Sequence, residues 1–102
     1  MLELRPTCEH CNVVLSPDSL DARICSFECT FWATCVEKML GNFYPDCGGG
    51  FVQRPVRPVN NWKGDNFLGV YPASTKVKHQ PIDPKTHAEF AKRIKTIPPE
   101  KR

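Results

Sequence analysis

No cysteine follows residue 47 in this 102-residue chain, and basic residues are scarce before residue 50. No apolar run approaches the roughly 20 residues that a membrane-spanning helix requires. The opening MLELRPTCEH has no basic start, no apolar stretch of leader length and no small-residue cleavage site. These absences argue against a helical membrane anchor and a secretory route. They lead to the expectation of a cytoplasmic protein, in which thiols stay reduced and bind metal rather than each other.

What is present is concentrated. Cys8, Cys11, Cys25, Cys29, Cys35 and Cys47 all fall in the first half. A segment of that size buries too little apolar surface to fold comfortably without a staple, because domains below roughly 60 residues are marginal. The opening CEHC is a CxxC knuckle, whose spacing turns two thiolates toward one ion. Further on, YPDCGG is the back half of a second knuckle, with Tyr44 where its first cysteine is expected. The expected cofactor is zinc, one to two ions, held by the six cysteines.

With positions 32 and 44 written as vacant, four knuckle-like pairs succeed one another: Cys8 with Cys11, Cys25 with Cys29, Trp32 with Cys35, and Tyr44 with Cys47. A RING-like cross-brace joins pairs one and three around one ion and pairs two and four around another. That scheme gathers Cys8, Cys11 and Cys35 in one site, and Cys25, Cys29 and Cys47 in the other. A zinc-ribbon-like arrangement joins the CEHC and YPDC knuckles instead, placing Cys47 beside Cys8 and Cys11. Both satisfy the spacing.

Local patterning predicts a small α+β, metal-stabilised head. Asn12 to Leu15, the turn-forming SPDS and Ala22 to Cys25 suggest a short hairpin. Thr34 to Leu40 predicts a helix stopped by Gly41, with Cys35 in its first turn, where the positive helix end favours thiolate. Glycines 48 to 50 suit a chain folding back over a metal with its amides aimed at sulfur.

The strings LRPTCEHC, ARICSFECTF and PDCGGGFVQRPVRP resemble a bacterial family of short cysteine-rich proteins known as domain of unknown function 1272, over residues 1 to about 58. Longer members are similar through NWKGDNFLGVYPAST and the final helix. The resemblance carries no assigned activity. It implies cysteine at the positions held here by Trp32 and Tyr44, so each three-thiolate set lacks one ligand. Water, His10, Asp46 or Glu28 are the candidates to replace it, while the two aromatics read most simply as packing residues that fill the vacated volume.

The predicted organisation is a head over residues 1–58, an extended proline-containing wrapping segment over 59–82, an amphipathic helix over 83–97 packed on the head, and a basic tail over 98–102. Asp83 suits the helix cap and Pro84 its first position. His87, Phe90, Ala91, Ile94 and Ile97 form one apolar stripe. His79 and His87 read as surface or packing residues rather than ligands. The NWKGDNF loop lacks the spacing and the trailing Ser/Thr of a phosphate-binding loop.

Charge divides the chain. Residues 1–50 carry three Arg/Lys against seven Asp/Glu, a formal −4, and residues 51–102 carry eleven against four, a formal +7, which together give +3. An acidic head and a basic second half attract each other. Two functions fit: a non-enzymatic zinc-stabilised adaptor that recognises another protein, or a nucleic-acid module using Arg54, Arg57, Lys63, Lys92 and Arg93, with Trp62 or Tyr71 to stack on bases. The same residues are candidate contacts for a protein partner. The adaptor is favoured, because the basic residues are scattered and an acidic head repels phosphate. The Glu and His inside CEHC are not the apolar contact that a ubiquitin-ligase RING offers.

Overall fold

The computed structural model describes residues 1–41 and 48–102. Tyr44, Asp46 and Cys47, and the expectations placed on them, lie outside the described residues. The head is a small α+β unit. Three antiparallel strands, β1 (Ala22–Ile24), β2 (Thr30–Trp32) and β3 (Val52–Gln53), are ordered β2-β1-β3. Ala22 pairs with Trp32 and Ile24 with both Thr30 and Val52.

The hairpin therefore forms elsewhere than the sequence pattern suggests. Residues 22–24 pair forward with 30–32 rather than back with 12–15. The loop that turns them is the Cys25–Cys29 segment, closed by the Glu28 amide to the Cys25 carbonyl at 3.0 Å, with Glu28 in the left-handed region at φ 65°. The 12–15 run belongs to the first knuckle. Val14 bridges to Thr7, the Cys8 amide donates to Val13, and Asn12 takes the left-handed turn at φ 63°, a conformation Asn tolerates well.

Trp32 ends β2 in extended conformation and opens α1 (Ala33–Cys35), which widens without a break into a π-helical turn over Val36–Leu40. Gly41 stops it in the left-handed conformation, at φ 58° and ψ 31°. Leu15, Ala22, Phe31, Val36, Leu40 and Phe51 form the core together with the buried cysteines. Phe31 and Phe51 meet edge to face, centroids 5.4 Å apart. Met39, Ile82 and the half-buried Trp32 pack against this core.

The second half is stitched to the first by backbone and side chain. The Ser74 amide donates to Leu4, the Gln80 amide to Glu9, and the Ile82 amide to His10 Nδ1, so this stretch runs alongside the N-terminal segment in the same direction. The helix α2 (Pro84–Ile94) is capped by the Asp83 side chain, which accepts from the Lys85 amide. His87 is buried and donates from Nε2 to the Leu40 carbonyl at 2.6 Å. Ile97 lies beyond the helix and is exposed, so the apolar stripe ends at Ile94.

Gly48 shows why a glycine stands under this helix. A Cβ there would lie 2.7 Å from Ile94 Cδ1 and 3.4 Å from Phe90 Cζ, and its φ is +76°. Gly48→Ala is expected to destabilise the protein by about 1–3 kcal/mol, through the strained backbone and displacement of α2. A lower melting temperature and loss of hydrogen-exchange protection in α2 check this. An unchanged melting curve contradicts the close helix approach.

Candidate metal centre

Three thiols converge at the base of the head. Cys8 enters from the first knuckle and is fully buried, Cys11 follows from the same turn and is exposed, and Cys35 comes from the last residue of α1 and is buried. Their sulfurs all lie within 4.8 Å of one another. The Cys8 and Cys35 sulfurs are 3.9 Å apart. Tetrahedral zinc with Zn–S near 2.3 Å demands a sulfur–sulfur edge of about 3.8 Å, which the Cys8–Cys35 pair matches, and Cys11 lies within the same cluster. Among the described residues, no fourth His, Cys, Asp or Glu ligand atom joins the cluster.

The electrostatics of these thiols follow from crowding. The Cys35 thiol is pushed well above its ordinary pKa, first by burial and then by the neighbouring Cys11 and Cys8 thiols. In the protein alone, these effects prevail over any help from the helix N-terminus. A cation reverses the balance, because each thiolate then faces positive charge rather than another sulfur.

Cys25 and Cys29 form a second, separate pair at the hairpin loop, both buried. Burial raises the Cys25 pKa, the amides of Phe27 and Cys29 act to lower it, and the Cys29 thiol adds to the rise. The Phe27 amide points at Cys25 Sγ from 3.3 Å, an amide-to-sulfur contact of the kind that knuckles make. Cys47, the expected third member, lies outside the described residues. Cys8, Cys11, Cys25 and Cys35 are free thiols.

The candidate fourth ligands have other roles. His10 Nδ1 accepts the Ile82 amide, and the His10 carbonyl accepts from His79 Nε2 at 3.1 Å. Glu28 Oε2 faces the Glu3 amide at 3.5 Å. The residue that sequence reasoning underrated is Glu9. Its carboxylate is buried inside the knuckle, accepts the Thr30 amide at 2.6 Å and Arg5 Nη1 at 2.8 Å, and faces Lys78 Nζ at 3.6 Å. Burial works against the Arg5 charge, but hydrogen bonds to Glu3, Cys29 and Glu9 outweigh it and hold that guanidinium above its ordinary pKa. Glu9 thus locks the first knuckle to β2, and Arg5 extends the network to Cys29. The one sequence signal for it was the basic residue four positions earlier.

Two of the expected surface contacts prove internal. Arg54 is buried, and its guanidinium donates to the carbonyls of Arg5 and Ser16, each at 2.9 Å. Burial lowers its pKa from the ordinary value, and its Nε finds no partner among the described residues. Arg57 is half-buried and donates to the carbonyls of Leu2 and Tyr71 at 2.8 and 2.7 Å. The RPVRP arginines therefore clamp the N-terminal segment, because a guanidinium fork spans two carbonyls that no strand partner satisfies. Lys63, Lys92 and Arg93 are exposed.

The fold and the thiol cluster together define the class: a small cysteine-rich α+β protein whose gathered thiols could hold a metal ion. The family model described as "Protein of unknown function (DUF1272)" matches residues 1–57. The chain is also 56% identical over 75 residues to an uncharacterized protein of Rhizobium meliloti (strain 1021), an alignment covering 74% of this chain and 82% of that one. The chain belongs to the DUF1272 family. No solved structure matches it. Among the described residues, no helix is long and apolar enough to cross a membrane.

Proposed function

We infer that this protein is a non-enzymatic zinc-stabilised interaction module, in which Cys8, Cys11 and Cys35 hold one ion and metal serves to fix shape. The convergence of three sulfurs from two separate elements, with Cys8 and Cys35 at the separation a shared ion requires, carries this reading. Zinc there acts as a cross-link between the first knuckle and α1, taking the place of thiol protons as it binds. In the RING-like pairing, Cys25 and Cys29 belong to a second ion, and the separation of the two thiol groups supports that pairing. A reducing cytoplasm suits such thiols. Among the described residues, the acid–base groups of the first knuckle are engaged elsewhere: Glu9 with Arg5 and Thr30, and His10 with Ile82.

Protein purified without added zinc should contain about one to two zinc ions per chain, and chelation should abolish its native circular dichroism. Metal-free protein indifferent to chelator overturns the reading. A protein partner is proposed over nucleic acid because Arg54 and Arg57 are engaged within the fold. Short DNA or RNA is accordingly expected to bind weakly and to lose that binding as salt rises. Submicromolar, sequence-dependent binding at physiological salt decides for the nucleic-acid role instead.

A further inference from the structure

The segment joining head to helix carries a built loop with an unburied indole at its tip. The Leu68 amide donates to the Pro58 carbonyl at 2.9 Å and closes the loop base. Inside it, Asn61 Nδ2 donates to Asp65 Oδ1 at 2.8 Å while the Asp65 amide donates to Asn61 Oδ1 at 3.1 Å. Gly64 and Asp65 both take left-handed conformations, which turn the tip. Trp62 stands on this braced turn 79% exposed. A rigid loop that presents its largest apolar side chain to water has forgone burial it had the length to make, and such exposed aromatics mark interfaces.

At the base of the same loop lies a cleft of about 400 Å³, lined by Pro17, Val56, Pro58, Val59 and Leu68, by Asp18, and by Arg57, whose guanidinium is held by the Leu2 and Tyr71 carbonyls. Its lining is mainly apolar, and Val59 is 71% exposed. The cleft is roomy enough for an indole. Lys63, beside Trp62, is exposed, as is Asp18. The loop carries a knob with an adjacent cation, and the cleft at its base, shared with residues 17–18, is a socket whose exposed charge is the Asp18 carboxylate.

We propose that this face pairs two copies of the chain about a two-fold axis, each Trp62 seated in the other copy's cleft and each Lys63 facing the other copy's Asp18. A self-complementary patch of this kind forms a closed, isologous dimer, because every contact is made twice. Two indoles bury roughly 300–500 Å² between them, and the valines at the loop base extend this toward the roughly 1,000 Å² at which specific interfaces begin. The association is correspondingly weak, in the micromolar range. The zinc reading is independent of it, since the loop touches none of the described thiols.

Sedimentation velocity of the zinc-loaded full chain over a hundredfold concentration range tests the pairing. The wild type should pass from monomer to dimer, with Trp62 becoming shielded from an aqueous fluorescence quencher as it does so. Trp62→Ala should weaken association at least tenfold without changing the circular dichroism. Asp18→Lys and Lys63→Asp should each weaken it, and the two changes together should restore it. A wild-type monomer throughout the range, leaving the cleft to a different protein, overturns the proposal. So does a dimer that the Trp62 variant leaves intact.

Discussion

Cys8→Ser is expected to release the metal and unfold the head. Serine nearly preserves the shape of the side chain, so packing alone costs little. What it removes is a soft thiolate, for which a neutral hydroxyl is no substitute as a zinc ligand. Zinc binding contributes on the order of 10 kcal/mol to folding in small modules, comparable with the whole net stability of an ordinary domain. Cys8 is the test position because it is fully buried and its backbone also carries the knuckle, donating to Val13 and accepting from Asn12. Cys11→Ser separates ligation from packing, since Cys11 is exposed. It should lose metal to a similar degree with no core defect at all. Metal content and thermal melts of the two variants, side by side, check this; a Cys8→Ser protein that melts like wild type contradicts the role given to the site.

The second large effect is expected at Arg54. Arg54→Met keeps much of the volume but removes the guanidinium donors to the part-buried Arg5 and Ser16 carbonyls, of which the Ser16 carbonyl keeps the Ser19 amide. Hydrogen bonds from a charged group contribute about 1.5–3 kcal/mol each. Against this stands the cost of desolvating the guanidinium, seen in the pKa that burial lowers, which the substitution relieves. The lost hydrogen bonds win, because the methionine offers the two carbonyls nothing and ties the N-terminal segment to no other element, and a net loss of about 2 kcal/mol is expected. Arg54→Lys should not rescue it, since one ammonium cannot reproduce a fork that spans both acceptors. Urea denaturation reads this as a lower midpoint at unchanged slope. A variant as stable as wild type would mean that the carbonyls find other donors.

Much of the head was legible in the sequence because its signals are local. Asp83 and Pro84 mark the start of α2 directly, and Gly41 marks the end of the helical segment after Cys35. The gathering of Cys8, Cys11 and Cys35 is one of the two arrangements that ligand spacing allows; the other turns on Cys47, outside the described residues. The hairpin was misplaced because the turn-forming SPDS outweighed the Cys25–Cys29 loop as a signal. In the fold, that loop's left-handed Glu28 makes the turn, and glutamate is a poor predictor of it.

The roles of Arg54 and Glu9 were hidden for a different reason. A charged residue is ordinarily on the surface, and nothing in its neighbours along the chain reveals a distant carbonyl or amide awaiting it. Arg54 reaches Arg5 and Ser16, and Glu9 reaches Thr30, across separations that no periodicity encodes. Gly48 is similar. Its glycines read as metal-loop residues, whereas the fold uses the missing side chain to admit Ile94.

The central claim is that the three converging thiols bind zinc. X-ray absorption at the zinc edge, on protein purified without added metal, tests it most directly. The account expects bound zinc with a dominant sulfur shell at about 2.3 Å, diminished in both Cys11→Ser and Cys35→Ser protein. Zinc absent from the purified protein, or present with a nitrogen and oxygen shell that the cysteine substitutions leave unchanged, would contradict it.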